Sequence, residues 1–358
     1  MNKFVKYGIA ETRLKAIERL YNEPVLYNLF WEATLRCNEK CKHCGSRAGE
    51  KVNYPEELTT EEIKNTFKSI AEKTDATKIA INVTGGEPLL REDLFDVMSY
   101  AKELGFMWGL TTNGLLLDKE GVLENFKKAG VNTIAVSIDG LENSHDGFRG
   151  VKGAFRKTID NLKLLRDSNA AKFIMVSTCF NKNNINELED VYKILKELKV
   201  DIWQIIPTDP LGRAKDSDVL PSLDDYKKAF EFIKEKRKKE KDMVITAACS
   251  HYKTMKYEID IRNQFFMCMS GITTASILYN GDIYVCPSVE RRKELVQGNV
   301  REDNFIDVWN NKFKLFRDMN KFKKGKCNQC SEWKYCRGDS TCTWDFDNDE
   351  PLICLKNL

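Results

Sequence analysis

The sequence predicts an α/β fold in which six βα units carry a parallel sheet curved into a partial (β/α)6 barrel, followed by a second, cysteine-rich domain. Three observations carry that expectation. Short apolar runs alternate with longer amphipathic stretches from residue 26 to about 232, the pattern of strands joined by crossover helices. Residues able to do chemistry fall directly after the apolar runs, at 37–44, 84–88, 113, 137–139 and 181. Seven of the 12 cysteines lie between 268 and 354, where the long alternation has ended.

The strand candidates are 26–35, 78–83, 107–112, 133–138, 173–180 and 201–206. Helical patterns follow them. Ile63, Phe67 and Ile70 share one face of 60–73, and Leu188, Val191, Leu195 and Leu198 share one face of 187–198. Residues 1–25 read as a helical extension with Leu14, Ile17 and Leu20 at helical spacing, 26–240 as the barrel, 241–267 as a linker and 268–358 as the cysteine-rich domain. Asn280-Gly281 marks a hairpin between 277–279 and 283–285. Six units allow an open doubly wound sheet as well as a curved one. A barrel gathers all the chemically loaded strand ends around one cavity, and the motif positions favour it.

Lys and Arg total 57 against 54 Asp and Glu in 358 residues, a balance that argues against general nucleic-acid affinity. The one charge run, 234–241, follows an apolar stripe at Tyr226, Phe230 and Ile233 and reads as a solvated helix end. No apolar run approaches the roughly 20 residues that span a bilayer, and the first residues lack a secretory signal, so a cytoplasmic protein without membrane contact is expected. In that compartment clustered cysteines point to metal rather than to disulfides. Cys179, in an apolar run, is expected to be a buried inert thiol.

Cys37, Cys41 and Cys44 are spaced Cys-x3-Cys-x2-Cys. Three thiolates are one short of a closed zinc or four-iron site, so they suggest a metal centre with an open coordination position. Zinc needs a fourth ligand. His43 lies between two of the cysteines and is poorly placed for it, and no other Cys or His precedes His145. His145 and His251 have no ligand-like neighbours at helical or strand spacing, so they read as satisfied structural or surface histidines and are assigned no catalytic role.

Followed by Thr84-Gly85-Gly86-Glu87-Pro88, these cysteines make the chain resemble the radical S-adenosylmethionine (SAM) enzymes. The resemblance implies that Cys37, Cys41 and Cys44 hold a [4Fe-4S] cluster, that its fourth iron chelates SAM, and that one-electron cleavage gives a 5′-deoxyadenosyl radical. An external one-electron donor such as flavodoxin or ferredoxin is implied too. Paired glycines allow close backbone approach to a ligand and Pro88 stiffens the exit. By resemblance Thr84 to Pro88 contact the SAM amino group, and Asn113, Ser137 and Arg149 contact its ribose and carboxylate. Asn181 and Gln204 are further polar candidates near the cavity, and Asp139 is either a ligand contact or a turn residue.

The later cysteines, Cys268, Cys286, Cys327, Cys330, Cys336, Cys342 and Cys354, resemble the SPASM domain, which binds auxiliary iron-sulfur clusters. The resemblance implies a first auxiliary cluster on Cys268, Cys286 and Cys342, open or completed by a residue such as Cys249, and a second on Cys327, Cys330, Cys336 and Cys354. One departure is visible: five residues separate Cys336 from Cys342 where the family usually has three. A zinc ribbon from Cys327, Cys330, Cys336 and Cys354 is the alternative for this region.

SPASM enzymes mainly modify peptides, so the resemblance implies a peptide maturase that abstracts hydrogen from a peptide carbon, for crosslinking, epimerisation or oxidation. A small-molecule or tetrapyrrole substrate is the alternative, and a non-catalytic iron-sulfur carrier or sensor a third class. Pro287 after Cys286 replaces the Asp that serves as base in sulfatase maturases, which disfavours that reaction, and no other acid or base stands out. Only 36 residues precede Cys37, too few for a leader-binding domain of roughly 80 to 90 residues, so a separate leader-peptide-binding protein is a possible partner.

Overall fold

The computed structural model describes residues 3–51, 53–248 and 250–358; Cys249 lies outside the described residues. Helix α1 (Lys3–Asn22) precedes the sheet. Then β1 (Asn28–Thr34), α2 (Thr60–Lys73), β2 (Ala80–Gly85), α3 (Leu94–Glu103), β3 (Met107–Thr112), α4 (Val122–Ala129) and β4 (Thr133–Ser137) follow. After α5 (Glu142–Arg149) and α6 (Ala154–Ser168) come β5 (Phe173–Phe180), α7 (Leu188–Glu197), β6 (Ile202–Pro207) and α8 (Leu223–Lys239).

Local chemistry sets several of these boundaries. Thr59 caps α2 through a capping box with Glu62, and Ser222 caps α8 in the same way with Asp225. The basic residues 236–239 fall in the last turn of α8, where the helix dipole favours cations.

The expected linker at 241–267 is instead structured. It contains β7 (Val244–Ala247), a seventh parallel strand paired with β6, and α9 (Thr254–Ile261) packed on α8. Both continue the βα alternation. The hairpin strands β8 (Thr274–Ile277) and β9 (Asp282–Tyr284) are antiparallel to each other, and β8 pairs parallel with β1. With β10 (Gly298–Asn299) the order is β10-β9-β8-β1-β2-β3-β4-β5-β6-β7, so the cysteine-rich region extends the barrel sheet.

One apolar core runs through both regions, joining Trp31, Trp108 and Trp203 to Ile283, Phe305, Trp309 and Phe313. Along β2, β5 and β6 every second residue packs under the helices, whereas Asn82, Thr84, Ser177 and Gln204 are only half buried on the opposite, concave face. The cavity wall is therefore mixed, since Met175, Ile202 and Ile206 share that face. Cys179 lies on that same face, beside Phe148, where burial raises its thiol well above the ordinary value, as expected of an inert thiol.

Candidate active site

β1 delivers the cysteine loop to the open end of the barrel. The loop turns back at once: Cys44 N–H donates to Cys41 O at 3.3 Å, Ala48 N–H to Cys44 Sγ at 3.3 Å and Gly49 N–H to Leu35 O at 2.9 Å. The end of α5 clamps it from one side, with Lys40 N–H donating to Arg149 O and Lys42 N–H to Phe148 O. Arg213, beyond β6, clamps it from the other, its Nε donating to Cys41 O at 2.7 Å and its Nη1 to Ala48 O at 2.9 Å.

The three thiols lie within electrostatic reach of one another. Burial pushes the Cys37 thiol up to about 11 and the Cys41 thiol further, so both are protonated at neutral pH without a compensating cation. Glu39 Oε1 and His43 Nδ1 are buried beside them without a hydrogen-bond partner. Among the described residues no three Cys, His, Asp or Glu side chains are gathered for a single metal ion. A sulfur-only donor set on one exposed-ended loop fits an iron-sulfur cluster with a free position.

The Gly-Gly-Glu-Pro turn lies against the entry to this loop. Gly86 N–H donates to Thr34 O at 2.7 Å and Glu87 N–H to Arg36 O at 2.9 Å. A Cβ on Gly85 would overlap Thr34 O, and one on Gly86 would overlap Arg36 O. The glycines are thus required by close approach of the turn to the protein's own backbone, where the sequence suggested approach to a ligand. Glu87 is fully buried and both its oxygens are engaged, Oε1 by Thr112 Oγ1 and Leu89 N–H, Oε2 by Asn113 N–H at 2.8 Å. Burial pushes its carboxyl up to about 7. Its side chain ties the turn to the end of β3.

Asn113 reaches the cysteine loop, its Nδ2 donating to Asn38 Oδ1 at 2.7 Å, and Ser137 ends β4 nearly buried. Arg149, expected at the SAM carboxylate, is buried and committed elsewhere. Its Nη1 contacts Glu39 Oε2 at 2.8 Å and its Nη2 contacts Asp139 Oδ2 at 2.8 Å. Burial alone would raise the Asp139 carboxyl, but Arg149 and the neighbouring histidines hold it below its ordinary value. Asp139 also accepts from Cys179 N–H, so it is a structural ion-pair partner.

His43 stacks on Phe148 with ring centroids 4.2 Å apart. His145 Nδ1 accepts from Asp139 N–H, a structural position. Asn181 forms a local turn with Asn183 and Asn184. Gln204 faces the cavity from mid β6.

A cleft of about 250 Å³ opens between the cysteine loop, the β6 exit loop and the segment after Cys286. Its walls include Ser46, Arg47, Gly212, Pro287, Ser288 and Arg291. Arg291 is ion-paired with the buried Glu32 of β1.

In the cysteine-rich region Cys330, Cys336 and Cys354 each lie within electrostatic reach of Cys327. Cys268 Sγ accepts from Thr341 N–H at 3.5 Å, a contact with the residue that precedes Cys342. Cys286 and Cys342 both pack against the main core.

Sequence reasoning passed over Glu39 and Arg213, which shape the site, whereas His251 is the satisfied structural histidine expected, held between Asp209 and Asp339. Burial would lower the His251 pKa, but Asp209 and Asp339 more than offset that and hold it up at about 9. All three act through partners distant in the chain, so no local spacing announces them.

Comparison with known proteins identifies two domains. The radical SAM superfamily matches residues 31–195, and the SPASM iron-sulfur cluster-binding domain matches 268–331. An AdoMet-dependent heme synthase of Methanosarcina barkeri is 30% identical over 355 residues, 94% of this chain and 97% of that protein. The mycofactocin maturase of Mycobacterium tuberculosis is 26% identical over 331 residues, 91% of this chain and 80% of the relative. Streptococcus suis SuiB bound to S-adenosylmethionine shares the fold, with a TM-score of 0.72 and 17% identity over 94% of this chain and 78% of SuiB. The chain is an enzyme that uses a [4Fe-4S] cluster, SAM and auxiliary iron-sulfur clusters, and it belongs to the radical SAM superfamily, with a SPASM domain.

Proposed function

We propose that Cys37, Cys41 and Cys44 hold the SAM-binding cluster and that the enzyme abstracts hydrogen from a carboxylate-bearing tetrapyrrole. When bound, the cluster and SAM supply a hydrogen-abstracting agent by one-electron cleavage of SAM. The chain's own residues orient and enclose that chemistry. Backbone around Thr84 to Gly86 would receive the SAM ammonium, with Glu87 and Pro88 fixing the turn. Asn113 and Ser137 would meet the ribose. Arg149 would hold the cysteine loop through Glu39 and Asp139 rather than bind the SAM carboxylate. The remaining cysteines, Cys268, Cys286 and Cys342 with Cys327, Cys330, Cys336 and Cys354, would carry the auxiliary clusters.

The observation that carries the tetrapyrrole reading is the end-to-end similarity to a heme synthase. Arg47 and Arg291 stand on the cleft wall, each paired with a carboxylate of the chain, Asp216 and Glu32, and would meet acidic side chains of such a substrate by exchanging those partners. A peptide is the second reading, favoured by the similarity to a peptide-maturase relative and by the small residues Ser46, Gly212 and Ser288 in the cleft.

The test uses anaerobically reconstituted, dithionite-reduced enzyme with an iron porphyrin deuterated in its carboxylate-bearing side chains. Deuterium should pass into 5′-deoxyadenosine. Transfer from a candidate precursor peptide, with none from the porphyrin, would replace this reading by the second.

A further inference from the structure

The two cysteine regions are distant in sequence, yet one buried side chain joins their surroundings. His251 is fully buried, with Nε2 2.6 Å from Asp209 Oδ1 and Nδ1 2.6 Å from Asp339 Oδ2. A carboxylate at each ring nitrogen asks both nitrogens to donate, which leaves no lone pair for work as a base. The ring is a two-headed donor.

Each carboxylate leads to a cysteine loop. Asp209 lies just past β6, and four residues on, Arg213 N–H donates to Cys44 O at 3.1 Å while its side chain holds Cys41 O. Gly212 O accepts from Arg47 Nη2. Asp339 lies between Cys336 and Cys342, in the five-residue stretch that exceeds the family's usual three, and it also accepts from Tyr252 N–H at 2.7 Å. The connection is held against backbone preference: His251 (φ 55°), Arg337 (φ 54°) and Asp339 (φ 77°) are left-handed without being glycine. Such conformations persist where surrounding contacts over-determine them.

We propose that His251 is a strut through which metal loading of the C-terminal cysteines sets the position of the β6 exit loop, and with it the loop of Cys37, Cys41 and Cys44. It is a positioning residue. The proposal rests on the reading that the C-terminal cysteines hold clusters, which iron content tests by itself.

The experiment uses the full chain with Cys37→Ala, Cys41→Ala and Cys44→Ala, so that only the C-terminal cysteines load, and compares it before and after anaerobic reconstitution with iron and sulfide. Hydrogen exchange of amides in 205–216 and 38–48 should slow about tenfold on loading. Adding His251→Gln should abolish that slowing while bound iron is unchanged. Asp209→Ala, which removes the acceptor at Nε2 and keeps the His251–Asp339 contact, should do the same and serves if His251→Gln does not fold. Slowing that persists in either folded variant, or its absence in the parent despite bound iron, overturns the strut. A parent that binds no iron overturns the cluster reading and the strut with it.

Discussion

The two cysteine regions of this enzyme are built by different means. Cys37, Cys41 and Cys44 occupy one short loop, held by backbone hydrogen bonds to α5 and by the side chains of Arg149 and Arg213. The seven later cysteines are spread from 268 to 354, on segments with little regular structure, and Cys354 is exposed. The first loop is tied to barrel elements at close intervals along its length. The second region draws its cysteines from segments far apart in the chain, so more of its order is expected to come from bound metal.

The sharpest break between the regions should come from Cys41→Ala, which is expected to reduce SAM cleavage to background while iron on the C-terminal cysteines persists. Iron analysis beside 5′-deoxyadenosine measurement checks both, and surviving cleavage would end the assignment of the first loop. Next, Arg149→Gln leaves Glu39 and Asp139 buried and unpaired, and should cost about 3–5 kcal/mol. Urea unfolding reads that loss, and an unchanged midpoint would mean the loop is held by its backbone bonds alone.

Cys342→Ala should lower iron by up to about four of about twelve per chain. Unchanged iron would remove Cys342 from the ligand set despite the contact of the preceding Thr341 with Cys268.

A smaller effect is set by pH. His251 has a folded pKa near 9, above its ordinary value of 6.5, so its stabilising contribution is complete below about 6.5 and is lost as pH rises through 9. The urea midpoint of the reduced protein should fall across that window, and His251→Gln should flatten the fall. Smallest of all, Arg301→Ala removes a half-exposed bridge to Glu62 at the α2 cap and should cost about 0.2–1 kcal/mol.

The barrel was largely legible in the sequence. Strands β3 and β5 and helix α2 have the bounds that periodicity and capping residues indicate. β7 was missed because four residues are too few to display alternation, and the charged 234–241 stretch before them resembles the edge of a linker. The site divides the same way. The cysteine loop and the Gly-Gly-Glu-Pro turn are contiguous motifs, but the partner of Arg149, Glu39, is 110 residues away. His251 meets Asp209 and Asp339 at separations of 42 and 88 residues. Charge pairs of that reach leave no trace in local spacing, so Arg149 resembled a free cation, and the carboxylates that satisfy His251 could not be named.

The pairing of β8 with β1 has a practical consequence. Removing the chain beyond 267 would strip a neighbour from the strand that feeds the cysteine loop, leaving its backbone donors and acceptors unpaired along an apolar edge that includes Leu29 and Trp31. Such a truncated barrel would be a template for strand addition and self-association, so the radical-generating half is not a detachable module.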